Sequence, residues 1–191
     1  AGDSLLHGRR FGLATMNLQP KLLGDDPLRK HVYEAEDAEA LREILGRQYH
    51  AVVGNPPYIT VKDKALNGAY RDAYSSCHMK YSLGVPFTER FFALALTGAD
   101  RHPAPSVGLI TTHAFKKREF GRKLIEQVLP QLDLTHVVDT SGAYIPGHGT
   151  PTVILFVRHR APMGEVVRTV MGIKGEPGPP DVPAPGLLWS A

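Results

Sequence analysis

The sequence predicts an α/β domain in which three parallel strands are followed by an antiparallel final strand. Between residues 34 and 140, short apolar runs alternate with stretches long enough to cross over as helices, which is the pattern of parallel strands. The third and fourth runs are separated by only about a dozen residues without helical periodicity, so the fourth strand should return antiparallel. A chain of 191 residues with 42% hydrophobic residues has the size of one such domain.

The first half of the chain contains two predicted helices and one predicted strand. Apolar residues recur at a spacing near 3.6 over residues 34–48, which predicts an amphipathic helix. The run at residues 50–54 predicts a short strand. Residues 86–99 predict a second helix, which should begin at Pro86 and end near Gly98.

The second half contains three further predicted strands. They lie at residues 106–112, 134–140 and 152–158, where β-branched and apolar residues dominate. A helix is predicted between the first two of these strands, at residues 115–129, because Pro130 would halt it.

The tail of the chain has a different composition. Prolines are concentrated at positions 177–185 within residues 172–191, which predicts an extended linker or the start of another segment. The folded domain is therefore expected to span residues 1–171.

Composition excludes several classes of protein. No apolar run approaches the roughly 18 residues of a membrane span and no signal sequence is visible, so a soluble cytoplasmic protein is expected. The single cysteine, Cys77, cannot form an internal disulfide, and the nine histidines lack metal-ligand spacing, so no metal is expected. The net charge of +3 favours a polyanionic partner only weakly.

The loops that follow the parallel strands should share one edge of the sheet, where open α/β folds bind ligands. These loops are residues 55–58, 112–117 and 141–149. Asp139 ends a strand at the same edge, and a capping role at residues 140–141 explains it as well as a functional one. The loop residues expected to line one crevice are Asn55, Tyr58, His113, Tyr144, Ile145 and His148.

The segment VVGNPPYIT, residues 52–60, carries the chemistry of this edge. Pro56 and Pro57 have fixed φ and no N–H, and Pro56 keeps Asn55 out of helical geometry. The Asn55 side-chain oxygen and the Pro56 carbonyl are then two nearby acceptors, and Tyr58 adds an aromatic face. Such a site suits a planar group with an NH₂, either an amide or a nucleobase amine.

An amine of this kind is a poor nucleophile because its lone pair is delocalised. Two acceptors placed off its plane would pull the nitrogen towards a tetrahedral and more reactive geometry, so the rate would come from positioning and electrostatics without a general base. The alternative is a rigid turn that only ends a strand.

VVGNPPYIT resembles motif IV of the S-adenosylmethionine-dependent amino-methyltransferases, in the form typical of N6-adenine DNA methyltransferases of the gamma class. GDSLLHG, residues 2–8, is similar to motif III, which implies that Asp3 contacts the adenine of the cofactor. KYSLGVPFTERF, residues 80–91, resembles the segment that walls the cofactor pocket, and this implies roles for Leu83 and Phe87. GLITTHAFKKREFGRKLIEQVL and VVDTSGAYIPGHGTPTVILFVR resemble the family's next strand and helix and its final hairpin.

The resemblance implies the C-terminal part of a class I, Rossmann-like methyltransferase sheet, with S-adenosyl-L-methionine as cofactor. The overall likeness is greatest to the large methyltransferases of phage-defence systems (BREX, or phage growth limitation), which are related to restriction-modification enzymes. It implies that Asn55, Pro56, Pro57 and Tyr58 are catalytic and that the substrate is double-stranded DNA with a flipped adenine. Other defence-system proteins are further possible partners.

The sequence departs from the family pattern in three places. The glycine-rich motif I is absent, so the chain is expected to be an internal piece of a larger enzyme. Ile145 stands where an aromatic often stacks on the flipped base, and Tyr144 is a substitute. Residues 9–30 form an apparent insertion of unknown role.

The target DNA requires basic contacts near the crevice. Lys116 and Lys117 are the candidates for phosphate contacts, and His148 lies between two glycines in a loop near the base. The alternative for the lysines is a solvated helix face.

Two other functions remain open from the sequence. They are protein glutamine-N5 methylation, which uses the same loop on an amide, and a non-catalytic module that binds nucleic acid or a partner protein.

Overall fold

The computed structural model of the chain describes residues 3–6, 38–97, 104–142, 149–171 and residue 182. Among the helices in these ranges, none combines the length and the apolar content needed to cross a bilayer. The predicted linker at residues 172–191 lies outside the described residues except for Val182.

The described strands form one mixed sheet. They are β1 (Ala51–Gly54), β2 (Ser106–Thr112), β3 (Asp133–Asp139), β4 (Thr152–Arg158) and β5 (Arg168–Met171). Their order in the sheet is β1-β2-β4-β3-β5, in which β4 is antiparallel to both of its neighbours. β1 pairs parallel with β2, so the predicted directions of the four strands are confirmed.

β5 is a fifth strand that the sequence pattern did not indicate. It pairs parallel with β3, and all four of its residues are exposed. A strand without a buried face has no apolar alternation, which is the signal on which strand prediction depends. The antiparallel β4 is therefore the last of the predicted strands and not the last strand of the sheet.

Three α-helices are described: α1 (Ala38–Leu45), α2 (Lys64–Ala73) and α3 (Gly84–Leu94). The predicted first helix includes α1, and its residues 34–37 lie outside the described range. α2 was not predicted, although Asp63 is a helix N-cap whose carboxylate accepts a hydrogen bond from the Leu66 N–H at 2.7 Å.

The second predicted helix, α3, ends earlier than Gly98. The Tyr49 N–H donates to the Leu94 carbonyl at 2.8 Å, and the Leu96 N–H donates to the Tyr49 carbonyl at 3.0 Å. This extended pairing takes the chain out of helical geometry after Leu94, so the predicted end at Gly98 is wrong.

The predicted helix at residues 115–129 is also wrong. Two 3₁₀ turns, a π-helical turn and a third 3₁₀ turn replace it, at His113–Lys116, Glu119–Gly121, Leu124–Val128 and Leu129–Gln131. Arg118 is extended, with φ −116° and ψ 145°, and it breaks the helix. The chain then folds back until Gly121 lies against the Phe115 carbonyl, where a Cβ would be 2.0 Å from the oxygen.

The core lies between the sheet and the segments that cross it. Buried residues alternate along β2 and β4, as Val107 and Leu109 do on one strand and Val153, Leu155 and Val157 on the other. They pack in one cluster with buried side chains of α2, α3 and the 113–131 segment. This packing fixes the sheet edge at which β1, β2 and β3 end.

Candidate active site

Asn55 follows directly after β1, at the edge where the three parallel strands end. The residue before it, Gly54, has no space for a side chain because the Phe91 ring of α3 occupies that position. A Cβ on Gly54 would lie 2.5 Å from Phe91 Cζ. The end of β1 therefore packs directly against α3, and this contact helps to fix the position of Asn55, the next residue.

Asn55 and Tyr58 are joined by a hydrogen bond. The Tyr58 hydroxyl donates to Asn55 Oδ1 at 2.5 Å, and the asparagine itself is exposed. Pro56 between them is buried, which anchors the loop. Burial raises the pKa of Tyr58 above its ordinary value, so the phenol is a neutral donor at physiological pH.

The loop is also tied to the beginning of α3. The Leu83 N–H donates to the Ile59 carbonyl at 2.8 Å, and Thr60 forms an isolated antiparallel bridge with Ser82. Leu83 is buried, while Phe87 is half-buried and packs edge-on against Phe91 with ring centroids 6.0 Å apart. Of the two apolar residues assigned to the cofactor by resemblance, Leu83 therefore directly precedes α3 and Phe87 lies on it, and α3 is the helix that supports Asn55.

Asp3 begins a short turn that packs on α2 and α3. Its Oδ1 accepts from the Leu5 and Leu6 N–H groups at 2.9 and 3.3 Å, and its Oδ2 accepts from the Tyr70 hydroxyl at 2.5 Å. Burial and the adjacent Asp3 raise the pKa of Tyr70, which keeps this phenol protonated.

The Asp3 turn and Asn55 share one support. The Arg90 Nε of α3 donates to the Ser4 carbonyl at 3.1 Å, and the hydroxyl of Tyr74, the residue that follows α2, donates to the Leu5 carbonyl at 2.5 Å. α3 thus contacts the Asp3 turn through Arg90 and the β1 end through Phe91.

Lys116, His113 and Asp139 meet at the ends of β2 and β3. Lys116 Nζ lies 2.6 Å from Asp139 Oδ2, and His113 Nε2 lies 3.3 Å from the same oxygen. Asp139 Oδ1 accepts from the Ser141 N–H at 2.9 Å, which is the capping role that the sequence allowed. The lysine predicted to contact phosphate is thus ion-paired within the protein, and the pair was not visible in a sequence where the two residues are 23 positions apart.

The pKa values of Asp139 and His113 are both lowered in this cluster, which keeps the carboxylate charged and the imidazole neutral. Burial alone would raise the pKa of Asp139, but hydrogen bonds from Lys116 and Ser141 lower it to about 2. Burial and the Lys116 cation lower the pKa of His113, so its imidazole is neutral at pH 7.

We expect Asp139 to make folding stability depend on pH. The pKa of Asp139 is about 2 in the folded protein, whereas an aspartate in the unfolded chain has its ordinary pKa of 3.8. The unfolded chain therefore binds the proton more tightly. The stabilisation should therefore be complete above about pH 5, and it should be lost as the pH falls from there towards 2. Denaturant titrations of the full-length protein at pH 7, 4 and 3 measure this, and Asp139→Asn should cost about 2 kcal/mol at pH 7.

Asp72→Asn is the matched control, because Asp72 is exposed on α2. This change should alter the free energy of unfolding by less than about 0.5 kcal/mol at each pH. An Asp139→Asn protein as stable as its parent at pH 7 would contradict the role given to the Lys116 contact.

A basic groove of about 380 Å³ lies beside the cluster. Its charged lining comprises Lys116, Lys117, Arg118, Glu119, Arg122 and Glu126. Arg122 pairs with both glutamates, at 3.3 and 3.0 Å, whereas Lys117 and Arg118 are exposed. The sequence favours Lys116 and Lys117 over the neighbouring Arg118 as phosphate contacts, and the extended backbone that brings Arg118 beside Lys117 in the groove could not be read from a helical pattern.

Three predicted contacts to the target base, Tyr144, Ile145 and His148, lie outside the described residues. Among the residues that are described, no three His, Cys, Asp or Glu side chains are grouped so as to hold a metal ion. Of the predicted site residues that are described, Asn55 and Tyr58 are hydrogen-bonded to each other, and α3, which carries Phe87, packs against their loop. Lys116 lies at the ends of the neighbouring strands.

Comparison with known proteins decides the family. Residues 14–145 match the family model described as Eco57I restriction-modification methylase. The chain belongs to this family. It is 49% identical, over 100% of its length, to the adenine-specific methyltransferase PglX of Streptomyces coelicolor. It is also 30% identical to the type II methyltransferase M.XhoI of Xanthomonas vasicola, over 53% of the chain.

The chain spans 16% of the length of PglX and 18% of the length of M.XhoI. A solved structure from Listeria monocytogenes, assigned to the class I S-adenosylmethionine-dependent methyltransferases, is 10% identical with a TM-score of 0.48. The match covers 66% of this chain and 37% of that one. Membership of the methylase family, together with the mixed sheet, confirms the predicted resemblance and fold class.

Proposed function

We propose that this chain is part of the catalytic domain of an enzyme that transfers a methyl group from S-adenosyl-L-methionine to the N6 amine of adenine in DNA. The enzyme would act in restriction-modification or phage defence. One observation carries this proposal: an exposed Asn55 amide, with its oxygen held by Tyr58, stands at the ligand-binding edge of a methylase-family sheet.

The Asn55 loop supplies the acceptors that the reaction needs. The Asn55 oxygen has two lone pairs; among the described residues the Tyr58 hydroxyl uses one of them, which leaves the second for an amine N–H. The Pro56 carbonyl is the second acceptor, and its ring prevents the loop from relaxing into a helix. Positive charge that develops on the amine nitrogen during methylation would be stabilised by both oxygens.

The residues assigned to the cofactor fit a nucleoside, because a nucleobase has flat faces that pack on apolar side chains and polar edges that form hydrogen bonds. Leu83, just before α3, offers a buried aliphatic side chain, and Phe87, on α3, offers a half-buried aromatic ring. Among the described residues the Asp3 carboxylate accepts three hydrogen bonds, and a carboxylate has about four acceptor sites, which suits it to accept one more from a ligand. When bound, S-adenosylmethionine supplies the electrophilic methyl group.

The DNA would lie along the edge that carries the basic groove. Lys117 and Arg118 are exposed there and are suited to phosphate oxygens. Lys116 would contribute mainly by holding Asp139 and the start of the loop that follows it, and it would reach phosphate only by leaving its carboxylate. The adenine must leave the duplex stack before Asn55 can reach it, and the binding energy of the basic groove offsets that cost.

The proposal is tested with the full-length enzyme that contains this chain. Duplex DNA is incubated with S-adenosylmethionine carrying a labelled methyl group, and the nucleosides are analysed by mass spectrometry. We expect label only in N6-methyladenine. Label in protein glutamine would indicate the amide reaction, and DNA binding without any transfer would indicate a non-catalytic module; either result would overturn the proposal.

A further inference from the structure

The Tyr58 hydroxyl has a geometry that the stacking role of its ring does not require. Its oxygen lies 2.5 Å from Asn55 Oδ1, at the short end of the range for hydrogen bonds between oxygens. A phenylalanine would provide the same aromatic face without this contact. The hydroxyl therefore has a separate effect, and it acts on the amide.

An asparagine amide has two ends of opposite hydrogen-bonding character. In one orientation the amide oxygen accepts a hydrogen bond from the substrate amine. After a 180° flip the Asn55 NH₂ group faces that amine, and two hydrogen-bond donors then oppose each other. Asn55 is exposed, so packing alone does not distinguish the two orientations. A phenol is a better donor than acceptor because its lone pair is delocalised into the ring, so a phenol beside the amide favours the oxygen at that position.

The loop between the two residues fixes this contact in space. Pro56 and Pro57 separate Asn55 from Tyr58, and both have a restricted φ. Pro56, before Tyr58, is buried, and the carbonyl of Ile59, directly after Tyr58, accepts a hydrogen bond from the Leu83 N–H. Both sides of Tyr58 are therefore held in place.

We propose that the Tyr58 hydroxyl is a positioning group that sets the orientation of the Asn55 amide, so that the oxygen and not the NH₂ faces the substrate amine. This inference rests on the proposed methylation of an amine. It assigns the hydroxyl a role in the turnover number and assigns the ring the role in holding the base.

The test compares Tyr58→Phe with the unchanged full-length enzyme in steady-state methylation. We expect kcat to fall about tenfold, as for the loss of one hydrogen bond of about 1.4 kcal/mol, while the KM for DNA changes less than about twofold. Tyr49→Phe is the control, because its hydroxyl donates to the Ile44 carbonyl at 2.7 Å, away from the loop. This control should leave both constants unchanged.

A second comparison isolates the amide. Asn55→Asp has an oxygen at both ends and needs no orientation, so in that background Tyr58→Phe should lower kcat by at most about twofold. An equal tenfold loss in both backgrounds would show that the hydroxyl acts elsewhere, and it would overturn the inference. The first comparison decides the question if the Asn55→Asp enzyme turns over too slowly to follow.

The two proposals fail in different ways. An unchanged or raised kcat in Tyr58→Phe would overturn the positioning role alone, because the parent enzyme would still methylate DNA. A parent enzyme without methyl transfer would overturn the proposed function, and the positioning role with it.

Discussion

Asn55→Ala should lower kcat for methyl transfer by the full-length enzyme at least about 100-fold, comparable to the removal of one group that stabilises transition-state charge. The physical reason is that Asn55 supplies one of two acceptors for the amine, and the other, the Pro56 carbonyl, cannot hold the nitrogen alone. Binding of DNA should change little, because phosphate contacts in the basic groove supply most of its affinity.

The measurement combines single-turnover kinetics with a DNA-binding titration at fixed salt. Asn67→Ala is the matched control, because Asn67 also accepts a hydrogen bond through its side-chain oxygen, from Arg71 Nε at 2.8 Å, but on α2. The control should retain kcat within about twofold. A rate for Asn55→Ala within tenfold of the parent would contradict the role of the amide.

Gly121→Ala should have the largest effect on stability, about 3 kcal/mol. An alanine Cβ would lie 2.0 Å from the Phe115 carbonyl oxygen and 2.8 Å from the Phe115 Cα. These are backbone atoms, so the clash is relieved only if the 3₁₀ turn at His113–Lys116 separates from the 3₁₀ turn at Glu119–Gly121. His113 and Lys116 lie in the first of those turns, so their contacts with Asp139 should loosen as well.

Hydrogen exchange of peptides from residues 113–131 in the full-length enzyme measures this effect locally. Protection should fall by about two orders of magnitude if opening becomes easier by about 3 kcal/mol. Gly164→Ala is the control, because a Cβ at Gly164 meets no atom within 4 Å. Equal protection in the Gly121→Ala and Gly164→Ala proteins would show that the segment is not packed as described.

The strands that carry the site could be predicted because their signal is local. β2 and β4 each bury alternate residues and are bounded by proline or polar turns, so their position and direction follow from sequence. The 113–131 segment has a helical pattern of apolar residues, but that pattern does not reveal the contact between Gly121 and the Phe115 backbone. A close approach of two backbones six residues apart overrides propensity, and only the folded chain shows it.

The site divides in the same way. Asn55 and the two prolines could be chosen from sequence because the rigidity of Pro-Pro is intrinsic to the residues. The partner of Lys116 could not, since the Asp139 contact depends on β2 and β3 lying on either side of β4. The Tyr58 hydroxyl was overlooked because the motif needs only an aromatic ring at that position, and the bond to Asn55 appears only in the loop geometry.

The most direct measurement is the structure of the full-length enzyme in complex with duplex DNA and a non-reactive analogue of S-adenosylmethionine. We predict an adenine outside the duplex with its N6 at about 3 Å from both Asn55 Oδ1 and the Pro56 carbonyl oxygen, and with its ring on Tyr58. An adenine held by other residues, or an Asn55 amide with its NH₂ group towards N6, would contradict the assignment of this loop as the amine-activating site.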